Sequence, residues 1–256
     1  MMELLYLLLA FGASTIGSIA GIGGGVIIRP VMDVISPFSA QTISFLSGCT
    51  VLAMAVANYI RNLKSEIKLD YRVSIFLGIG ASIGGILGNH TFTRITYNAG
   101  LIQTILLLLI IGFVLTYVLL KHKITTRKIN SLAVCAVVGV GLGFISAFLG
   151  IGGGPLNIVV LYYFFSMGVK EAARNSLFII LIAHFTSLVT HIGAGTVPDF
   201  SALVLALMCA GGIAGAMVGT VFSRRVKEEK VEKVFLYLLL ALIVINVFNI
   251  ISIIAL

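Results

Sequence analysis

Apolar residues along this chain come in long, nearly unbroken blocks, and polar residues gather in the short gaps between them. From the amino end the blocks run from about Leu4 to Ala20, Val26 to Ile35, Ala40 to Ile60, Val73 to Gly88 and Leu101 to Leu120. After a basic stretch, Lys121 to Lys128, the same order returns as Leu132 to Leu149, Pro155 to Met167, Ala172 to His191, Leu203 to Thr220 and Val234 to Leu256. The long blocks have about the 20 residues that a helix needs to cross a ~30 Å hydrocarbon core; the second block of each series is about half that length. The pattern predicts an all-α integral membrane protein.

Between the first and second block of each series stands the same glycine motif. It reads Gly21-Ile22-Gly23-Gly24-Gly25 in one half and Gly150-Ile151-Gly152-Gly153-Gly154 in the other, 129 positions apart. Further matches follow: Gly80, Gly84 and Gly88 with Gly211, Gly215 and Gly219 at an offset of 131, and Ala40 and Ser44 with Ala172 and Ser176 at 132. The chain therefore divides into a first transmembrane repeat (1–120), a linker (121–131) and a second repeat (132–256).

Charge decides how the repeats sit, because Lys and Arg near helix ends collect on the cytoplasmic face. Setting aside Arg29, which lies inside a block, sixteen of the 17 Lys and Arg remain. If the two blocks around each glycine motif formed one broken crossing, these would divide eight against eight. If they form a hairpin, fifteen fall on the linker's side and Arg94 stands alone opposite. The hairpin reading predicts two inverted-topology repeats, each a glycine-broken helix hairpin followed by three transmembrane helices. The linker is then cytoplasmic and both termini are extracytoplasmic.

Composition adds limits. At 59% hydrophobic and 10% charged residues, with a mean hydropathy of +1.16, the chain leaves no room for a soluble catalytic domain and is expected as a multi-pass protein of the cell (inner) membrane. The leading charge is Glu3 rather than a basic residue, so the first block is expected to be a retained helix. The net charge of +8 lies in short loops and reports topology, not nucleic-acid binding. Cys49, Cys135 and Cys209 are isolated within apolar blocks and are expected to be small buried hydrophobes. No metal-ligand spacing, nucleotide loop or nucleophile–base pair is present, so neither enzyme chemistry nor a cofactor is expected.

What remains points to an anion. Glycine-broken half-helices at matching places in inverted repeats mark a transporter site near the membrane midplane. The first turn of a helix presents unpaired N–H groups at the positive end of its dipole, so two such ends form a cradle from Gly23, Gly24, Gly25, Gly152, Gly153 and Gly154. The plainer reading is that these glycines only allow a tight hairpin. Arg29, with Ile158 at its equivalent, either supplies positive charge to the anion or pairs with Asp33 one turn on. Thr42, Ser44, Asn175 and Ser176 are candidate hydrogen-bond donors to an oxyanion or else helix caps, and Asn157 is a further candidate. His184 and His191 share a helix face and, with Asp33, form a candidate proton relay; each histidine can equally be satisfied by a neighbouring helix. The glycines at 80, 84, 88 and 211, 215, 219 read as packing ridges.

These motifs resemble the TauE/SafE sulfite exporter family, also called the TSUP membrane permeases. The resemblance rests on the two glycine motifs with Pro30 and Pro155 downstream and on the Ala-x-x-x-Ser starts at Ala40 and Ala172. It implies secondary transport, often outward, of sulfite, a sulfonate or another organosulfur anion, by alternating access. Its partners would be a small anionic substrate, a coupling proton and the lipid bilayer, and a homodimer is one assembly it admits. The first motif departs from the second in lacking an immediate proline. A passive anion channel and a non-transporting membrane scaffold or assembly protein are the alternative readings of the same features.

Overall fold

The computed structural model describes residues 2–63, 65, 67–93, 99–129, 131–149 and 153–254. Lys64, Arg94, Gly150, Ile151 and Gly152 lie outside the described residues. Among the described residues ten α-helices follow one another: α1 (Met2–Ala20), α2 (Gly25–Ile35), α3 (Ala40–Asn62), α4 (Tyr71–Thr93), α5 (Ala99–Leu120), α6 (Leu132–Leu149), α7 (Gly154–Phe165), α8 (Val169–Gly193), α9 (Ala202–Arg225) and α10 (Glu228–Ile254). Eight are long and apolar enough to cross a membrane; α2 and α7, at 11 and 12 residues, are not. Helices α3, α9 and α4 begin where polar residues offer caps. Ser39 Oγ accepts from Thr42 N at 3.2 Å, Ser201 Oγ from Val204 N at 3.4 Å, and Asp70 Oδ1 from Val73 N at 3.0 Å.

The two short helices turn back on their predecessors. Eleven residues carry α2 only ~16 Å, and the chain beyond it returns to where α1 began, the Phe38 and Tyr6 rings lying 5.9 Å apart. In the second half the end of α7 returns to the residues ahead of α6: Arg127 N donates to Tyr163 O at 2.7 Å and Ile129 N to Phe164 O at 2.9 Å. The largest apolar cluster joins the two turns at the centre of the molecule. It holds Ile22 and Val26 from the first together with Leu149, Leu156 and Ile158 from the second.

Long helices pack most extensively as α4 on α6 and α1 on α9. Both contacts run along the glycine ridges. Gly80, Gly84 and Gly88 lie on the main chain of Ala136, Val140 and Phe144, and Gly211, Gly215 and Gly219 on that of Leu7, Phe11 and Thr15. The paired positions advance together, so the helices of each pair run in the same direction. α3 also runs with α9, since Thr50 meets Gly212 and Asn58 bonds Thr220. α1 and α3 therefore point the same way, as a return through α2 requires. By contrast α3 and α8 are opposed: Phe45 meets His191, Tyr59 meets Phe178, and Arg174 Nη2 donates to Asn62 O at 2.7 Å. A buried tie crosses three helices where Asn58 Nδ2 donates to Ser18 Oγ at 3.0 Å and Asn58 Oδ1 accepts from the Thr220 hydroxyl. Cys135 is buried, but Cys49 and Cys209 are only half-buried.

A Cβ at Gly84 or Gly215 would fall on the carbonyl of Val140 or Phe11. Gly84→Val and Gly215→Val are expected to cost ~1–3 kcal/mol or more each through overpacking. Gly112→Ala and Gly141→Ala, where an added methyl meets nothing within 4 Å, should leave stability unchanged or slightly raised. Thermal unfolding of the detergent-purified protein separates the two classes.

Candidate substrate site at the paired glycine breaks

Gly21, Gly23 and Gly153 take φ of 76°, 77° and 76°, a left-handed conformation in which an L side chain is strained. These residues turn the chain from α1 into α2 and start α7. The two turns touch. Gly154 rests on the backbone of Ile22, Gly21 on Ala173 near the start of α8, and Gly17 on the backbone of Gly23 and Gly24, each with no space for a Cβ. Of the predicted glycines, Gly23, Gly24, Gly25, Gly153 and Gly154 are thus brought to one place; Gly152 lies outside the described residues.

The half-helices α2 and α7 begin from this contact. Gly24 O accepts from Ile28 N and Gly153 O from Asn157 N, both at 2.9 Å, which starts each helical ladder. Ile27 N also bonds Gly24 O at 3.0 Å; the N–H groups that open a helix otherwise lack partners within it, and the dipoles make both ends positive. Asn157 is buried beside Gly153. Ser14 of α1 is fully buried beside Gly24, and its Oγ has no hydrogen-bond partner among the described residues.

Arg29, a turn into α2, is only 6% exposed. Its Nη1 donates to Ser44 Oγ at 3.1 Å and its Nη2 to Gln103 Oε1 at 2.5 Å, while its Nε stands 4.0 Å from Asp33 Oδ2. Gln103 is itself anchored, Nε2 donating to Phe148 O at 2.6 Å. The guanidinium is therefore held first by two neutral side chains, with Asp33 as its more distant counter-charge. Alongside, Asn249 Nδ2 of α10 donates to Pro30 O at 3.2 Å. The second half lacks this arrangement. The Ile158 side chain offers no polar atom, and Ser176 Oγ, the equivalent of Ser44 Oγ, is buried without a partner among the described residues.

Other predicted residues are engaged elsewhere. Thr42 Oγ1 donates to Asp199 O at 3.1 Å, and Asn175 Oδ1 accepts from Asp70 N at 3.0 Å and Ser74 Oγ at 2.6 Å. The start of α3 thus grips the loop ahead of α9, and the start of α8 grips the loop ahead of α4. His184 Nδ1 bonds Ile180 O at 3.1 Å on its own helix, and His191 Nδ1 bonds Thr196 Oγ1 at 3.0 Å. Sequence reasoning missed Ser14, Gln103 and Asn249. The usable signal was polarity inside an apolar block, since a lone amide at membrane depth needs a partner.

The model of the sulfite exporter TauE/SafE family matches residues 6–245, nearly the whole chain. The chain belongs to the TauE/SafE family. It is similar to the probable membrane transporter protein YunE of Bacillus subtilis, 26% identical over 248 residues that cover 86% of this chain and 88% of that one. A probable membrane transporter protein of Methanocaldococcus jannaschii is 25% identical over 75% of this chain and 73% of its own, and one of Haemophilus influenzae is 28% identical over 59% of each. No solved structure matches. Family and relatives together identify a multi-pass membrane transporter.

In this TauE/SafE member, Gln103→Leu leaves the buried Arg29 charge short of an acceptor and is expected to destabilise by ~1.5–3 kcal/mol. The double variant Arg29→Met/Gln103→Leu removes both partners and should recover much of that loss. Thermal unfolding of the two variants beside wild type checks the sign.

Proposed function

We propose that this transporter carries a small sulfur oxyanion, sulfite or an organosulfonate, outward across the cell membrane by alternating access. The observation that carries this reading is the contact of the two glycine motifs, Gly154 on Ile22, which brings two positive half-helix ends to one point. Arg29 adds a buried positive charge on the same half-helix as one of those ends. Ser14 and Ser176 add buried hydroxyls without partners among the described residues. A sulfur oxyanion with three acceptor oxygens, such as sulfite or a sulfonate, has the charge and acceptor count to engage such a set.

The mechanism rests on the halves being inverted repeats. Supporting this, α3 and α8 are equivalent segments that run in opposite directions, while α1 pairs with α9 as α6 pairs with α4. Rocking of one half against the other would then expose the glycine centre to each face in turn. The linker faces the cytoplasm and both termini the exterior, in keeping with the fifteen-to-one division of basic residues. The relatives' names, all of transporters, support a carrier over a scaffold.

Counterflow of labelled sulfite and ethanesulfonate in proteoliposomes tests this. Saturable uptake is expected for wild type, with Arg29→Gln reduced at least about tenfold through loss of a charge-assisted contact. Flux that rises linearly with anion concentration would mark a channel, and no flux across the panel would remove the assignment.

A further inference from the structure

A cavity lies between α5, α7 and α10 on the linker side of the glycine centre. It reaches Ala20, the residue ahead of the first glycine motif, and its polar lining is Tyr117, Lys121, Tyr162 and Glu232. Lys121 Nζ, just beyond the end of α5, contacts Glu232 Oε2 at 2.5 Å and sits 4.9 Å from the centre of the Tyr162 ring, with the Tyr162 hydroxyl at 3.4 Å. The remaining walls, among them Val118, Ile158 and Phe235, are apolar.

We infer that this cavity is an anion subsite in which a small oxyanion takes the place of the Glu232 carboxylate on the Lys121 ammonium. The carboxylate is itself an oxyanion seated on that cation among mostly apolar walls, so its oxygen marks the position a ligand oxygen would take. The partners differ in freedom: the Lys121 side chain is 12% exposed and braced on an aromatic face, whereas that of Glu232 is 28% exposed and can swing to solvent. The basic loops of the same side raise the local concentration of anions at its mouth.

The place in the fold supports this independently. At the offsets of 129 to 132 that relate the halves, Ile158, Tyr162, Val118 and Phe235 stand on or beside α7 where Arg29, Asp33, Asn249 and Gln103 stand on or beside α2. A cation with a carboxylate counter-ion accompanies each half-helix, Arg29 with Asp33 on α2 itself and Lys121 with Glu232 beside α7, at positions the repeat does not relate. Arg29 is engaged by Ser44 and Gln103, whereas Lys121 and Glu232 border a small cavity, and the space for a ligand is that vacated by the Glu232 carboxylate. This subsite rests on the transport reading only for its place along a path, since binding there does not require transport.

Equilibrium binding of sulfite and ethanesulfonate to the detergent-purified full chain decides the matter. Glu232→Gln removes the internal competitor and is expected to tighten binding at least about tenfold, Lys121→Gln to weaken it by a similar factor, and Lys121→Arg to keep it within a few-fold. A merely structural ion pair predicts the opposite sign for Glu232→Gln, and weaker or unchanged binding there overturns the subsite. So does an absence of binding by both wild type and Glu232→Gln. Should Lys121→Gln fail to fold, Glu232→Gln and Lys121→Arg still decide. Added phosphatidylglycerol tests whether a lipid headgroup is the occupant instead: lipid binding that depends on Lys121, without binding of either free anion, overturns the proposal. Flux in proteoliposomes with unaltered affinities in these variants would sink the subsite alone, whereas Lys121-dependent binding without any flux would sink the transport reading and leave the subsite standing.

Discussion

Peptide groups released from a helix at the depth of the hydrocarbon find no water there, so a bent backbone survives only when packed inside protein or facing a watery cavity. Every feature of this chain's centre follows from that constraint. The turns at Gly21–Gly25 and before Gly154 are pressed on one another and on the neighbouring backbone. Such closeness is available only without side chains, at Gly17, Gly21 and Gly154. The surrounding helices must also come in tightly, and the ridges on α4 and α9 allow it by placing main chain on main chain. Removing polar groups from water in this way leaves two helix ends whose positive dipoles remain uncompensated within their own helices.

A buried arginine breaks the equality of the halves. A charge at membrane depth costs at least ~2.5 kcal/mol even on insertion scales, and here Ser44, Gln103 and Asp33 together offset it. Where the second half substitutes Ile158, the matching Ser176 hydroxyl has no partner among the described residues, and a cavity lies beside the half-helix. Matching positions in the two halves therefore carry different chemistry: Arg29 is held by its own polar network, and Lys121 borders a cavity.

Most of the fold was legible before any coordinates, because bilayer thickness imposes block lengths that no soluble helix shares. The glycine motifs were legible because they recur in matched settings. Helix ends moved by a few residues, as with α4, which runs on to Thr93, since apolar blocks carry little information about where a helix frays. The site was less legible. Gln103 looks like any lone amide until folding sets it against Arg29, 74 positions away. Thr42 and Asn175 have the chemistry of ligand donors, yet capping and loop anchoring claim them first. His184 and His191 share a face but bond separately, one to its own helix and one to the turn beyond it. Helical spacing shows which residues could meet and is silent on partners drawn from distant segments.

On the inverted-repeat reading proposed above, two opposed halves, each opening with a hairpin, place an odd number of crossings between the amino end and the linker. Single cysteines at Leu4→Cys and Lys123→Cys, in a chain whose three native cysteines are replaced, can be labelled in intact cells and in inverted vesicles with a membrane-impermeant thiol reagent. Labelling of position 4 from outside and of position 123 only from the cytoplasmic side is the expected result. Both positions reacting from the same side would mean that α1 and α2 form one broken crossing, and the paired half-helix centre would have to be abandoned.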